Sequence, residues 1–239
     1  MTLIGVVQLL ILPTEIVSGF CHILNEDLWV IIGFPLKLFW MTTRVEYLLS
    51  FVLALNRVKI MCQLNISASF LKLLIFLIAI YGILLLVALH TPYCDLIFHI
   101  DHFISTYDMS RPYSYLLSQS TAIISMAAMC GSLVCYIIVI GYLVFTRSKN
   151  GKIKNWKHER CILIYAFVRF VCDMYIVVAY NYFKFPPISW IGLPISLTFP
   201  LNNLIIPVIL YLTLNKNVRR EFFNAKTTNY VSSGMIQRH

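Results

Sequence analysis

Acidic side chains are scarce in this sequence of 239 residues. Ten Asp and Glu stand against nineteen Lys and Arg, and charged residues of all kinds make up only 12%. That is roughly half the charged share of a soluble domain, so a water-soluble fold of this length would lack the polar surface to cover itself. Paired cysteines are missing as well. The seven Cys include no CxxC and no evenly spaced set, which argues against the common zinc sites and a secreted disulfide scaffold. Most of them fall inside apolar runs, where a thiol serves as a small packing group. No HExxH, GxSxG, P-loop or GxGxxG occurs, so no enzyme motif is assembled and no cofactor is expected. His90, His99 and His102 share one stretch, but their spacing favours ordinary solvated histidines over a metal site.

Long apolar runs are what the sequence does have, within a total of 59% hydrophobic residues. A helix crossing a hydrocarbon core of about 30 Å needs about 20 such residues. Six segments meet that length: roughly Thr2 to Phe20, Leu28 to Leu55, Ser69 to Leu89, Tyr113 to Thr146, Cys161 to Phe183 and Ser189 to Leu214. The first is read as a retained helix, since it has no basic start, contains Glu15 and is followed by no small-x-small cleavage site. The second and fourth exceed one bilayer thickness but are too short for two crossings, so they are expected to tilt or protrude. The expected fold is an all-α integral membrane bundle over 1–214, with a short amphipathic helix over 215–223 and a flexible tail over 224–239.

Basic residues give the bundle a direction, because Lys and Arg are retained on the cytoplasmic side. Arg57, Lys59 and Lys72 follow the second span. Arg147, Lys149, Lys152, Lys154, Lys157 and Arg160 follow the fourth, and Lys216, Arg219, Arg220, Lys226 and Arg238 lie in the tail. The opposite loops hold only Arg111 and Lys184, together with Glu26, Asp27, Asp95, Asp101 and Asp108. Both termini are therefore expected in the cytoplasm, with the chain multi-pass in the plasma membrane. The net charge of +9 follows from this asymmetry and from contact with anionic lipid, and nucleic acid is not an expected partner. Asn65-Ile66-Ser67 fits the glycosylation pattern, yet on this orientation it faces the cytoplasm and stays unmodified.

Two motifs carry a resemblance. The second span closes on Leu53-Ala54-Leu55-Asn56-Arg57-Val58, and the last contains Pro200-Leu201-Asn202-Asn203 followed by Ile206-Pro207-Val208-Ile209-Leu210-Tyr211. A long helix closing on Asn-Arg resembles helix three of the nematode serpentine chemoreceptors, a group of seven-helix G-protein-coupled receptors, with class V most similar and classes X and T close behind. The last span resembles their helix seven, with a proline-kinked turn similar to NPxxY, although Ile206 stands in the Asn slot and Tyr211 lies four residues after Pro207. Leu214 to Phe223 resembles the amphipathic helix eight, with Val218 and Phe222 toward lipid and Lys216, Arg219 and Arg220 toward headgroups.

The six spans would then correspond to helices two to seven, with the first helix absent. The resemblance implies a receptor for a small chemical ligand that signals to a heterotrimeric G protein through helix rearrangement. It further implies a switch at Asn56, Arg57, Pro207 and Tyr211, and a disulfide between Cys21 and Cys94. Asn56 replaces the acid that normally holds the Arg, so Glu159, at the start of the fifth span, is the expected partner of Arg57.

Charges inside the spans are expensive, at about 2.5 to 3.5 kcal/mol each near the bilayer centre. Lys37, Arg44 and Glu46 are the candidates for the ligand pocket. Arg44 and Glu46 are two residues apart and point in different directions, so each requires an interhelical partner or a wet cavity. Arg169 and Asp173 have i, i+4 spacing and are expected to neutralise one another. The competing reading is a six-helix channel or transporter, for which Pro194, Pro200 and Pro207 could break the last helix. A truncated, non-signalling receptor relic is the third.

Overall fold

The computed structural model describes residues 2–24, 29–99, 104–150, 167–168 and 170–178, together with 194, 197–198 and 201–202. Five helices are defined among them: α1 (Thr2–Leu9), α2 (Leu12–Leu24), α3 (Trp29–Met61), α4 (Ala68–Leu89) and α5 (Ser114–Asn150). Between α4 and α5 lies a two-stranded antiparallel hairpin, β1 (Leu96–His99) and β2 (Ile104–Tyr107). Three helical stretches, Gly33–Met61, Ala68–Leu89 and Ser114–Thr146, are long and apolar enough to cross a membrane. They coincide with the second, third and fourth expected spans. The fifth and sixth lie largely outside the described residues, as do the expected helix over 215–223 and the tail.

The first expected span is two helices instead of one. Pro13 supplies no N–H, and its ring collides with the carbonyl four residues earlier, on Leu9. Leu9 is the last residue of α1, and a turn at Leu10 and Ile11 leads into α2.

Thirty-three residues make α3 about 50 Å long, well beyond one hydrocarbon thickness. It stops at Met61 because Gln63 takes a left-handed φ of 52° and the Leu64 amide donates back to the Lys59 carbonyl, the arrangement that closes helices whose last carbonyls lack partners. Ser67 then caps α4 by accepting a hydrogen bond from the Ser69 amide.

Packing runs along α3. Its Leu36, Phe39 and Trp40 share a core with Leu85 and Leu89 near the end of α4, while Val45, Leu49 and Val52 pack with the earlier Leu71 and Ile78. That makes α3 and α4 antiparallel. Going the other way, Tyr47 meets Met129, and Ala54 and Val58 meet Cys135, Val139 and Leu143, so α5 runs parallel to α3. Direction alternates from α3 to α4 to α5, as successive crossings require.

Outward faces are apolar. Leu73, Phe76, Leu77, Ile80, Ile83, Leu84 and Val87 of α4 are all exposed, and α5 exposes Leu116, Ile123, Ile137, Val144 and Phe145. Contiguous apolar surface on that scale suits lipid and not water. The buried stripe of α4 is narrow, consisting of Leu71, Ile78, Gly82, Leu85 and Leu89.

Candidate functional site

Alternation along the hairpin sets the geometry of the site. Leu96, Phe98, Ser105 and Tyr107 are buried while Ile97 is exposed, and the register pairs Leu96 with Tyr107 and Phe98 with Ser105. One face of the hairpin is thus turned onto the helices, as period-two alternation dictates. The loop beneath is tied together: the Asp108 amide donates to the Asp95 carbonyl, the Asp95 amide to Ser114 Oγ, and Arg111 to the Pro92 carbonyl. Hydrogen bonds from the Ser110 hydroxyl and amide hold the Asp108 carboxyl below its ordinary range. Lys37 Nζ lies 3.1 Å from Asp95 Oδ1 and joins α3 to this loop. Asp95→Asn and Lys37→Met together should reveal a coupling of about 1 kcal/mol in a double-mutant cycle on thermal unfolding. A coupling of zero would mark the contact as incidental.

Beneath the hairpin a polar layer crosses the helices. Trp40 Nε1 donates to Ser105 Oγ at 3.0 Å, and the Trp40 ring meets Tyr107 edge-on with centroids 4.9 Å apart. The Tyr107 hydroxyl lies 3.3 Å from Thr121 Oγ1 of α5. One turn further along α3, the Arg44 guanidinium sits 5.2 Å from the centroid of the Trp40 ring, and its Nη1 donates to Ser125 Oγ at 3.3 Å. Arg44 is only 5% exposed. Among the described residues its Nε has no hydrogen-bond partner, and neither does the buried Tyr81 hydroxyl. Among the described residues Arg44 makes no ion pair.

Glu46 is buried as well, at 1% exposure, but turned away from Arg44. Gln8 Nε2 of α1 donates to its Oε1 at 2.7 Å. Two residues of helix rotate a side chain by about 200°, so these opposite charges on one helix serve different interfaces. Thr42 and Thr43 hide their hydroxyls by donating to carbonyls of the preceding turn, Leu38 and Phe39 for Thr42 and Phe39 for Thr43.

Comparison of the chain with family models, curated proteins and solved structures gives no match. The site therefore rests on its own geometry.

Of the residues expected to act together, the layer contains Arg44, while Lys37 is engaged above it and Glu46 beside it. Asn56 and Arg57 are half-buried near the far end of α3, and Arg57 lies about 20 Å along the helix from Arg44. Glu159, Pro207 and Tyr211 lie outside the described residues, and so does the expected Arg57 to Glu159 contact. Cys21 and Cys94 do not form the expected bridge here. Both are buried free thiols: Cys21 packs in the core with Leu36, Phe39 and Leu96, and burial pushes the Cys94 thiol up, which favours its protonated, unreactive form. Asp173 accepts a 2.6 Å hydrogen bond from Asn202 Nδ2. Arg169, its expected partner, lies outside the described residues. No group of three or more His, Cys, Asp or Glu that could hold a metal occurs among the described residues.

Trp40, Tyr81, Ser105, Tyr107, Thr121 and Ser125 belong to none of the sequence motifs and are brought together only by the fold. The hairpin signal was present, in Leu96-Ile97-Phe98-His99 and Ile104-Ser105-Thr106-Tyr107, two β-prone runs either side of a short polar-containing stretch. The hydroxyl residues gave no signal, because an isolated Ser or Thr in an apolar run commonly bonds its own helix.

Proposed function

We propose that this chain is a chemosensory membrane receptor of the seven-helix, G-protein-coupled kind, taking a small ligand from outside and signalling to a heterotrimeric G protein within. The observation that carries the reading is the buried layer around Arg44, enclosed under a hairpin at one end of helices whose outer faces are apolar. A buried polar cluster in such surroundings is costly and marks function more often than stability. On the same helix the Asn56-Arg57 pair stands about 20 Å away, near the end from which the basic loops emerge. A ligand that shifts Arg44 or Trp40 acts on an element whose other end lies beside the G protein, and it selects the signalling arrangement by differential affinity.

Orientation follows the basic loops, with the hairpin outside and both termini in the cytoplasm of a cell whose plasma membrane the chain crosses repeatedly. Co-expression with a heterotrimeric G protein tests the reading through guanine-nucleotide exchange in isolated membranes. Exchange above that of membranes lacking the chain, responsive to small odorants, is expected, together with no glycosidase-sensitive mass at Asn65. Absence of any exchange sinks the receptor reading, and a glycan on Asn65 inverts the topology.

The resting contact proposed between Arg57 and Glu159 gives a sharper result. Glu159→Gln should raise basal exchange up to about fivefold, the effect of roughly 1 kcal/mol on a two-state equilibrium. Unchanged basal exchange would remove that contact from the mechanism. The interrupted first span favours a second reading, a transporter with a broken helix. Solute flux into proteoliposomes without any G-protein coupling would establish it.

A further inference from the structure

Of the three charged candidates on α3, two are already satisfied. Lys37 is paired with Asp95, and Glu46 accepts from Gln8. Arg44 differs. One nitrogen donates to a neutral hydroxyl at the long distance of 3.3 Å, the cation rests on the Trp40 face, and Nε is buried with no acceptor among the described residues. Cation–π contact and one weak hydrogen bond do not offset the burial of a guanidinium. Nε forms the side edge of the guanidinium fork together with Nη2, and that edge is the one whose spacing matches the two oxygens of a carboxylate.

Nearby groups point the same way. The Tyr81 hydroxyl is buried without a partner among the described residues and lies within electrostatic reach of both Arg44 and Tyr107, so a second donor is present in the same region. Apart from Ser105 and Arg44, the core cluster that holds Trp40 is apolar and aromatic, with Leu36, Phe39, Leu85, Phe98, Tyr107 and Ile176. They offer nothing to a strongly hydrated ion, but they suit the hydrocarbon body of an organic acid.

We infer that Arg44, with Trp40 and Tyr81, forms the recognition site for a small carboxylate with an apolar body, the carboxylate bridging the side edge of the Arg44 guanidinium. As a statement about a receptor's ligand it rests on the reading above; as a statement about binding it stands on these side chains. Occupancy satisfies the buried Nε, neutralises the cation where the dielectric is low, and adds a contact to α3 directly beneath the hairpin.

The test uses the full chain purified in zwitterionic lipid nanodiscs, with no G protein present. Sodium benzoate is the probe, benzamide its neutral isostere, and sodium chloride and inorganic phosphate the plain anions. Thermal stability and tryptophan fluorescence are the readouts. Benzoate is expected to raise the unfolding temperature and change the fluorescence, with benzamide, chloride and phosphate inactive at the same concentration. Arg44→Gln should weaken benzoate by about 10- to 100-fold, the loss of one charge-assisted contact. Should that variant fail to fold, Arg44→Lys keeps the charge but lacks the planar fork, and it should bind benzoate more weakly than the native chain while still preferring it to benzamide.

Benzamide binding as tightly as benzoate, chloride or phosphate reproducing the effect, undiminished binding by either Arg44 variant, or no benzoate binding at all would each overturn the inference. Because no G protein enters the assay, benzoate binding by a chain that fails to couple would keep the inference and remove the receptor reading. Coupling without benzoate binding would do the reverse.

Discussion

Trp40→Ala is expected to cost about 3 kcal/mol and to release the hairpin from the helices. The indole is buried in the core shared by α3, α4 and both strands, and it makes three directional contacts: to Ser105, to the Tyr107 ring and to the Arg44 cation. In soluble proteins a truncation of this kind costs about 3 to 5 kcal/mol. Here lipid, not water, surrounds the unpacked state, so the transfer contribution shrinks while the cavity and the lost dispersion contacts remain. The lower end of that range is therefore expected. For a chain of this size it corresponds to a fall of about 6 to 12 °C in unfolding temperature. Hydrogen exchange should also show the β2 amides losing protection before those of α5. Trp40→Phe separates packing from polarity, since it fills most of the space but strands the Ser105 hydroxyl, at about 1 kcal/mol. If Trp40→Ala unfolds at the native temperature, the hairpin is held by its loop anchors and not by the layer beneath it.

The second large effect belongs to Gly131. A Cβ built there would lie 2.7 Å from Phe51 Cε2 and 3.0 Å from its Cδ2, closer than carbon atoms approach in packed interiors. Small residues let helix backbones come together in membranes, and here one ring of α3 occupies the place where a side chain of α5 would stand. Gly131→Leu should cost about 3 kcal/mol, the upper part of the range for overpacking, because the partly buried Phe51 ring packs against the core where the new side chain would stand. The same substitution with Phe51→Ala should recover most of the loss, since the two positions share one volume. Gly141, with nothing within 4 Å of a built Cβ, is the control: Gly141→Leu should leave stability unchanged or raised. Equal loss at Gly131 and Gly141 would exclude the Phe51 contact as the cause.

Three of the spans were legible because twenty-odd apolar residues in a row have few alternatives. Ala68–Leu89 begins within a residue of the expected start and ends at the expected residue. The break at Leu10 and Ile11 was legible too, in Pro13, but a span-length window averages over a single proline. The β-prone runs of the hairpin are present in the sequence, but an expected architecture that is wholly helical has no place for a sheet.

Arg44 and Glu46 show where sequence stops. Their helical spacing required that they face different partners, and they do so, but nothing in the spacing named Ser125, which is 81 positions away, or Gln8. By itself the sequence determined that the chain is a membrane protein and which residues of α3 carry charge into it, since hydropathy and charge are properties of the residues themselves. Which of those charges is satisfied was decided only by the tertiary structure. Lys37 meets Asp95 and Glu46 meets Gln8, whereas the Nε of Arg44 meets no acceptor among the described residues, because a hydrogen bond depends on how helices far apart in the chain are brought side by side.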